Sequence, residues 1–501
     1  MHDSTTPDSR TVRIVIIGAG FSGIGMAIRL RQSGIDDFVI LERASASGGT
    51  WRDNSYPGCA CDVQSSLYSF SFALNPEWTQ TYAPQAEIRE YLRRCAARFD
   101  LDRHCVYDAD VTNAAWDDVL QQWVVTSDAG VWEAEVVVVA SGALSDPVLP
   151  SIPGLRDFAG AAFHSARWNH DVDLTGKRVA VIGTGASAIQ FVPRIQPRAA
   201  QLDLFQRTPA WILPRRDSAV PAWRKSVYRT MPALQRAHRA MVYALREMLL
   251  VPFRHPKLGR VVELRAMQHM RAQIADPVLR QKLVPTYQIG CKRILVSDDF
   301  YPALTQSNVS LHTETIAAIT PGGVRTADGV THAADVLILG TGFHTTAPPL
   351  AALIAGRTGA TLADTWKGSP RAYMGTTESG FPNLFTLLGP NTALGHSSVL
   401  LMIEAQIDHV LGMLRLMDAR GAGAAEPKEK AQDRYVSALD ARMATTVWMR
   451  GGCSSWYQDS TGRVSTLWPD GVGKFTRTVS RVKPEDYRFT ARRIRTAEVR
   501  I

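Results

Sequence analysis

No stretch of this 501-residue chain approaches the roughly 20 apolar residues that a spanning helix requires. Cysteine is scarce. Six residues (Cys59, Cys61, Cys95, Cys105, Cys291, Cys453) are too few and too scattered for a secreted disulfide framework. Cys59 and Cys61 are separated by one residue, not by the two of a thioredoxin-like redox pair. The N-terminal MHDSTTPDSR is polar and has no signal-peptide core, so a soluble cytoplasmic protein is expected. A strong excess of one charge is also missing: 56 Lys+Arg face 47 Asp+Glu, a net +9. Most of that excess lies after Gly471, where nine basic residues meet three acidic ones. No basic stripe accompanies a recognised module, which argues against a nucleic-acid partner. Nor is a metal expected.

With 45% hydrophobic and 21% charged residues the chain is ordinary for a globular protein, and its length suits two or three domains. Residues 12–17 read VRIVII, as a parallel strand buried on both faces would. They run into Gly18-Ala19-Gly20-Phe21-Ser22-Gly23, from which a helical pattern continues to a stop at Gly34. A second strand, 37–41, ends at Glu42, 24 residues after Gly18. Glycines there let the backbone approach a pyrophosphate at a helix N-terminus, and an acid at that offset can take ribose hydroxyls.

The pattern recurs. A strand over 177–182 leads into Gly183-Thr184-Gly185-Ala186-Ser187-Ala188, with Ala in the third glycine position. Pro193 kinks or shortens the helix that follows. The next strand, 201–205, leads to Arg207, again 24 residues after the first glycine. An acid at that place repels a 2′-phosphate, whereas a guanidinium binds one. The alternative for Arg207 is a solvated strand end. The first cradle therefore suits a dinucleotide with free ribose hydroxyls, the second NADP(H), and the simplest pair is FAD with NADPH. Small-residue turns close the apolar runs 136–142 and 335–342, and the Pro- and Gly-rich stretch 142–158 reads as a linker. A second crossing is expected near 340–350. Domains of 1–145, 146–345 and 346–501 follow, the first and last forming one discontinuous unit around the inserted middle.

Residues 216–285 differ in kind, being helical in period and dense in Arg, Met and Leu. Such a basic amphipathic segment can rest on a membrane or a partner, but more often it is an insertion covering an active site. No repeat beyond the duplicated cradle is found.

Two further segments are more specific than either glycine loop. Phe158-Ala159-Gly160-Ala161-Ala162-Phe163-His164-Ser165-Ala166-Arg167-Trp168-Asn169 resembles the FxGxxxHxxxW(P/D) fingerprint of the Baeyer–Villiger monooxygenases, departing from it at Asn169. Residues 49–62, GTWRDNSYPGCACD, are similar to that family's second signature, GxWxxxx(Y/F)PGxxxD. The resemblance covers about residues 12–400. It implies an α/β fold with two Rossmann-like dinucleotide-binding domains, a discontinuous FAD domain with the NADP domain and a helical insertion set into it. It also implies the reaction. NADPH reduces FAD, the reduced flavin takes up O2 as a C4a-peroxyflavin, and the peroxide adds to a ketone. The tetrahedral (Criegee) intermediate then gives an ester or lactone.

Negative charge develops on the peroxide and on the former carbonyl oxygen, which calls for a fixed cation. Gly290-Cys291-Lys292-Arg293 looks like the family's active-site segment, which implies Arg293 as that cation, Asp62 as the carboxylate orienting it, and Lys292 beside Arg207 on the 2′-phosphate. Candidate flavin contacts are Gly18, Gly20, Phe21, Ser22, Gly23, Glu42, Arg43, Gly49, Thr50, Trp51, Asp62, Tyr68, Val111 and Asn391. Candidate NADP contacts are Gly183, Thr184, Gly185, Ala186, Ser187, Arg207, Thr208 and Lys292. His164 is read as conformational, Trp168 as packing, and His396 as a helix-start residue. The aromatic tail 452–469 is read as strand and loop closing over substrate. A lipophilic ketone and O2 are the expected partners, with no stable membrane insertion and a monomer or homodimer. The competing reading is a flavin monooxygenase oxidising nitrogen or sulfur in soft nucleophiles, which needs no cation at Arg293. A pyridine-nucleotide disulfide reductase would need a redox cysteine pair, and a cofactor-binding sensor would show no substrate-dependent NADPH use.

Overall fold

The computed structural model describes residues 9–493. The apolar run at the N-terminus forms the strand Ser9–Ile17, whose Ile14, Val15 and Ile16 are fully buried. It lies parallel between Phe38–Leu41 and Gly130–Val139. Leu384–Thr386, from far along the chain, joins the same sheet beside Val137–Val139. Ile354–Ala355 pairs with Ala114–Ala115 at its other side. The first sheet thus takes strands from both ends of the chain.

A second sheet is wholly parallel, in the order Val309–His312, Gln201–Phe205, Arg178–Ile182, Val336–Leu339, Ala161–His164. Alternate residues of these strands face two different apolar clusters, so both faces are covered, as a parallel sheet requires. A three-stranded antiparallel meander over 316–333 packs on one face, with His312 Nε2 held 2.8 Å from Asp203 Oδ1 beneath it. The fold is α/β with two Rossmann-like dinucleotide-binding units.

The two crossings between the sheets run side by side. Val148 N donates to Gly342 O at 2.8 Å, and Thr341 Oγ1 donates to Val148 O at 2.6 Å. The long helix Val399–Arg420 starts with the Ser398 hydroxyl accepting from Leu400 N at 3.3 Å and stops at Gly421, in the left-handed region at φ 58°. It packs against the helix Phe21–Gln32, where Gly25 leaves room for Phe70. Pro193 sits in the last turns of the eight-residue helix Ala188–Ile195. Five helices occupy 222–283: Ala222–Thr230, Pro232–Met248, Leu250–Arg254, Pro256–Gln273 and Pro277–Leu283. No described helix is long and apolar enough to cross a membrane.

Candidate active site

In the first cradle the strand ends at Gly18, whose φ of 106° turns the chain into the helix Phe21–Gln32. A Cβ on Gly23 would lie 1.9 Å from Gly18 O, so this turn accepts no side chain there. Gly49 packs directly on Gly20, and a Cβ on it would come within 3.0 Å of Gly20 Cα. The result is a groove lined by bare backbone at the helix N-terminus, of the kind a phosphate chain approaches closely. Phe21, Ser22 and Gly23 are buried behind it.

Glu42 is buried and held in place: Oε2 accepts from Ala19 N at 2.7 Å, and Oε1 accepts from Ala44 N at 3.1 Å and Arg52 Nη1 at 2.9 Å. A carboxylate has about four lone-pair directions, so one remains for a ribose hydroxyl. Thr50 and Trp51 open a single helical turn, and Trp51 Nε1 donates to Tyr68 OH at 3.0 Å. Phe21 and Trp51 each meet Tyr68 edge-on, closing an aromatic wall. Val111 is buried at the start of the strand Val111–Asp117. Arg43 does not point into the groove. It pairs with Asp146 Oδ1 at 2.7 Å and Ser145 O at 3.0 Å, tying the cradle to the first crossing.

The second cradle is built the same way and left open. Gly183 turns the chain at φ 107°, but a Cβ on Gly185 would meet nothing within 4 Å, and Ala186 is exposed. Ser187 precedes the helix Ala188–Ile195, with Thr184 buried and Thr208 half-buried nearby. Arg207 is exposed at the end of Gln201–Phe205. Lys292 stands close enough that burial and the Arg207 charge together pull its ammonium below its ordinary range. Neither cation has a carboxylate partner among the described residues. Two basic groups without an acid are the kind of donor set that suits a 2′-phosphate.

Between the cradles, the short strand pair Ile212–Leu213 and Leu295–Val296 positions the segment 290–294. Arg293 Nη2 and Nε donate to the same Asp62 oxygen at 2.6 and 3.0 Å. The Asp62 charge raises the guanidinium well above its ordinary range. Burial pushes the Asp62 carboxyl upward most strongly, but the Arg293 charge and hydrogen bonds together with the Arg246 charge outweigh it and hold the group below its ordinary range. The pair lies in a cavity of about 710 Å³ including its open mouth, whose other walls are largely aliphatic and aromatic.

Two residues not singled out from the sequence complete this corner. Arg246, from the helix Pro232–Met248, donates to Asp62 O at 3.0 Å. The Tyr457 hydroxyl is fully buried beside the Arg293 charge. Residues 456–457 stood in a recognisable aromatic run, but nothing local assigns one ring to packing and the other to the site.

Some expectations change and others stand. The Asn391 side chain is spent on the C-terminal loop, donating to Val464 O and Leu467 O at 2.8 and 3.0 Å and accepting from Arg463 Nη2 at 2.8 Å. His396 lies two residues before the helix cap and bonds Glu247 Oε1 at 3.0 Å, joining the long helix to the insertion. The tail 452–469 holds only isolated bridges, so it is loop rather than strand, because its hydrogen bonds go to Asn391, Ala393 and Asp459. Cys291 and Cys453 form a disulfide, a single bridge rather than a framework. His164 is buried, accepts from Ala166 N at 3.1 Å, and is pushed down to about 4 by burial, so it stays neutral at pH 7. Trp168 packs between Phe163 and Phe191. Cys59 and Cys61 are both buried and unbridged, and burial raises the Cys59 thiol to about 12. That is the opposite of a reactive redox pair.

A flavin-type groove, an open NADP-type cradle and a paired arginine between them define a flavin- and NADPH-dependent monooxygenase. Comparisons carry this further. Residues 15–230 match the family model for pyridine nucleotide-disulphide oxidoreductases. A Baeyer–Villiger monooxygenase of Streptomyces coelicolor is 48% identical over 95% of this chain and 92% of its own length. Another from Pseudomonas aeruginosa is 46% identical over 98% and 94%. The chain belongs to the Baeyer–Villiger monooxygenase family. Among solved structures, a closed cyclohexanone monooxygenase superposes with TM-score 0.87 at 28% identity, over 97% of this chain and all of that one. A steroid monooxygenase bound to NADP gives 0.85 at 32%, over 96% and all of that chain. OTEMO in complex with FAD and NADP gives 0.85 at 27%, over 97% of this chain and all of that one. FAD and NADPH are the cofactors.

Proposed function

We propose that the enzyme inserts one atom of O2 between the carbonyl carbon of a lipophilic ketone and its neighbour, giving an ester or lactone. The observation that carries this reading is the Arg293–Asp62 pair in a cavity whose other walls are largely apolar. FAD reduced by NADPH supplies the activated oxygen. The chain's own residues do the rest. Arg293, charged at every working pH, presents N–H donors where negative charge grows on oxygen. Because Asp62 preorganises the charge, it needs little rearrangement as the reaction proceeds. Asp62 fixes the fork's orientation, and Arg246 fixes the backbone of Asp62. Glu42 takes a flavin ribose hydroxyl through its remaining lone pair, while Arg207 and Lys292 hold the 2′-phosphate. The apolar walls favour a ketone with a substantial hydrocarbon body.

Oxidation of a soft sulfur or nitrogen centre would need no fixed cation, which is why the ketone reading is preferred. The test is NADPH oxidation in air by the FAD-loaded enzyme with a panel of ketones and a thioether, products identified by mass. Ester or lactone formation supports the reading. Sulfoxide as the sole product would replace it with heteroatom oxidation.

A further inference from the structure

The second sheet gathers three metal-type donors where the antiparallel meander covers it. In the strand pair Val309–His312 and Gln201–Phe205, Ser310 lies opposite Asp203 and His312 opposite Phe205. Asp203 and His312 are therefore diagonal neighbours on one face, with His312 Nε2 2.8 Å from Asp203 Oδ1. His332 comes from the meander, on the strand Thr331–Ala333, where it lies opposite Val324. Its ring centroid is 4.0 Å from that of His312. Phe205 supports both rings, stacked on His312 at 5.0 Å and edge-on to His332 at 5.4 Å. One donor atom from each of Asp203, His312 and His332 lies within 4.8 Å of the others. No second group of three such residues is gathered among the described residues. Local spacing does not announce the cluster, since 109 residues separate Asp203 from His312.

An ion pair accounts for Asp203 and His312 but not for the second imidazole. His332 forms no ion pair among the described residues. Its Nε2 lies 3.3 Å from Thr326 Oγ1, whose hydrogen goes to Asp328 Oδ1 at 2.6 Å, so the hydroxyl oxygen accepts from the ring. A ring that binds a metal through one nitrogen ordinarily spends the other on such a partner. Asp203 is steadied as well, with Oδ1 accepting from Gln201 Nε2 at 3.3 Å. Donor chemistry selects the ion. Two imidazoles and a carboxylate suit zinc, whereas calcium and magnesium ask for oxygen donors. Zinc holds such ligands at about 2.0–2.2 Å, so two of them stand at most about 4.2 Å apart. The cluster closes onto an ion with side-chain shifts of under about 1 Å. Asp203 is buried while both imidazoles are half-buried, which leaves a path for the ion and a position for water.

We propose that Asp203, His312 and His332 bind one zinc ion, with water completing its shell. In a neutral His312 ring the hydrogen on Nε2 moves to Nδ1 through solvent, and the ion takes its place between Nε2 and the carboxylate. The ion ties the outer strand, its neighbour and the meander together at one point. Gln206 N donates to His312 O at 2.8 Å, and Arg207 follows directly, so the clamp also holds the strand end that leads into the open cradle. Zinc binding here is independent of the reaction assigned above.

The test uses untagged, FAD-loaded enzyme freed of metal with a chelator and dialysed to equilibrium against Zn2+, the bound metal then counted by atomic absorption. One zinc per chain is expected, and no magnesium at the same concentration. His332→Ala and His312→Gln should each weaken zinc binding about tenfold to a hundredfold or more. Zinc should raise the thermal midpoint of the wild type and leave that of either variant unmoved. Both variants should keep bound FAD and metal-free NADPH oxidation, which separates a lost ligand from a lost fold. A wild type that takes up no stoichiometric zinc would overturn the proposal. Equal zinc binding by wild type and both variants would overturn it too, placing the ion elsewhere. A zinc-loaded wild type with an unmoved thermal midpoint would remove the clamp. Each of these failures would leave the ketone reaction standing, since none is read from oxygenation.

Discussion

The two cradles share a strand, a glycine turn, a helix and a 24-residue offset, yet they are finished differently. The first is closed. Gly20 faces Gly49, Glu42 is pinned by three donors, and aromatic rings seal one side. The second is open, with Gly185 facing nothing and Arg207 in solvent. A buried, pre-satisfied groove suits a cofactor that stays. An exposed one, whose cations wait without partners, suits a cofactor that comes and goes.

The comparison breaks most visibly at the glycines. Gly23→Ala puts a Cβ 1.9 Å from Gly18 O and is expected to abolish FAD retention or folding, read from the flavin absorbance of purified protein. Gly185→Ala meets no protein atom and should keep its FAD, with the effect confined to the NADPH KM. Where the cradles meet, Arg293→Ala should lower oxygenation by about 10²–10³-fold or more while NADPH still reduces the flavin anaerobically. A variant that oxygenates ketones normally would remove Arg293 from its role. Arg207→Ala should raise the KM for NADPH about 10- to 100-fold and leave NADH use unchanged, because only the 2′-phosphate contact is lost. Equal losses with both nucleotides would show that the open cradle does not discriminate.

The smallest effect concerns acid. Arg293 holds Asp62 below its ordinary range, so the pair's stabilisation is complete above the unfolded carboxyl pKa and disappears as pH falls through the lower, folded value. The difference in thermal midpoint between wild type and Asp62→Asn should therefore be largest near neutrality and shrink below about pH 4. A constant difference across that range would mean Asp62 acts by shape alone.

Much of this was legible in the chain because it is local. Strand, glycine turn and helix are neighbours in sequence, so both cradles and the contrast between Glu42 and Arg207 could be read directly. Arg293 and Asp62, 231 residues apart, were matched by resemblance and then found in contact. Arg246 and Tyr457 were not legible, since helical period does not tell which side of a helix faces the site. The 232–248 helix makes the point sharply: pattern reading would bury its Leu and Met and expose Arg239, and the structure does the opposite. Asn391 was read as a flavin contact, but its amide supports a loop that lies 70 residues on, which no local pattern encodes.

The Cys291–Cys453 bridge gives the molecule a mechanical property that neither cradle has alone. Two bodies joined by a pair of adjacent strands can turn about the line through them, as a door turns on its hinge plates. The crossings near 148 and 342 are such a pair. A covalent bond across 162 residues, joining the segment that carries Arg293 to the C-terminal loop that carries Tyr457, works as a latch on any such turn. While it is made, the guanidinium and the buried hydroxyl cannot be drawn far apart.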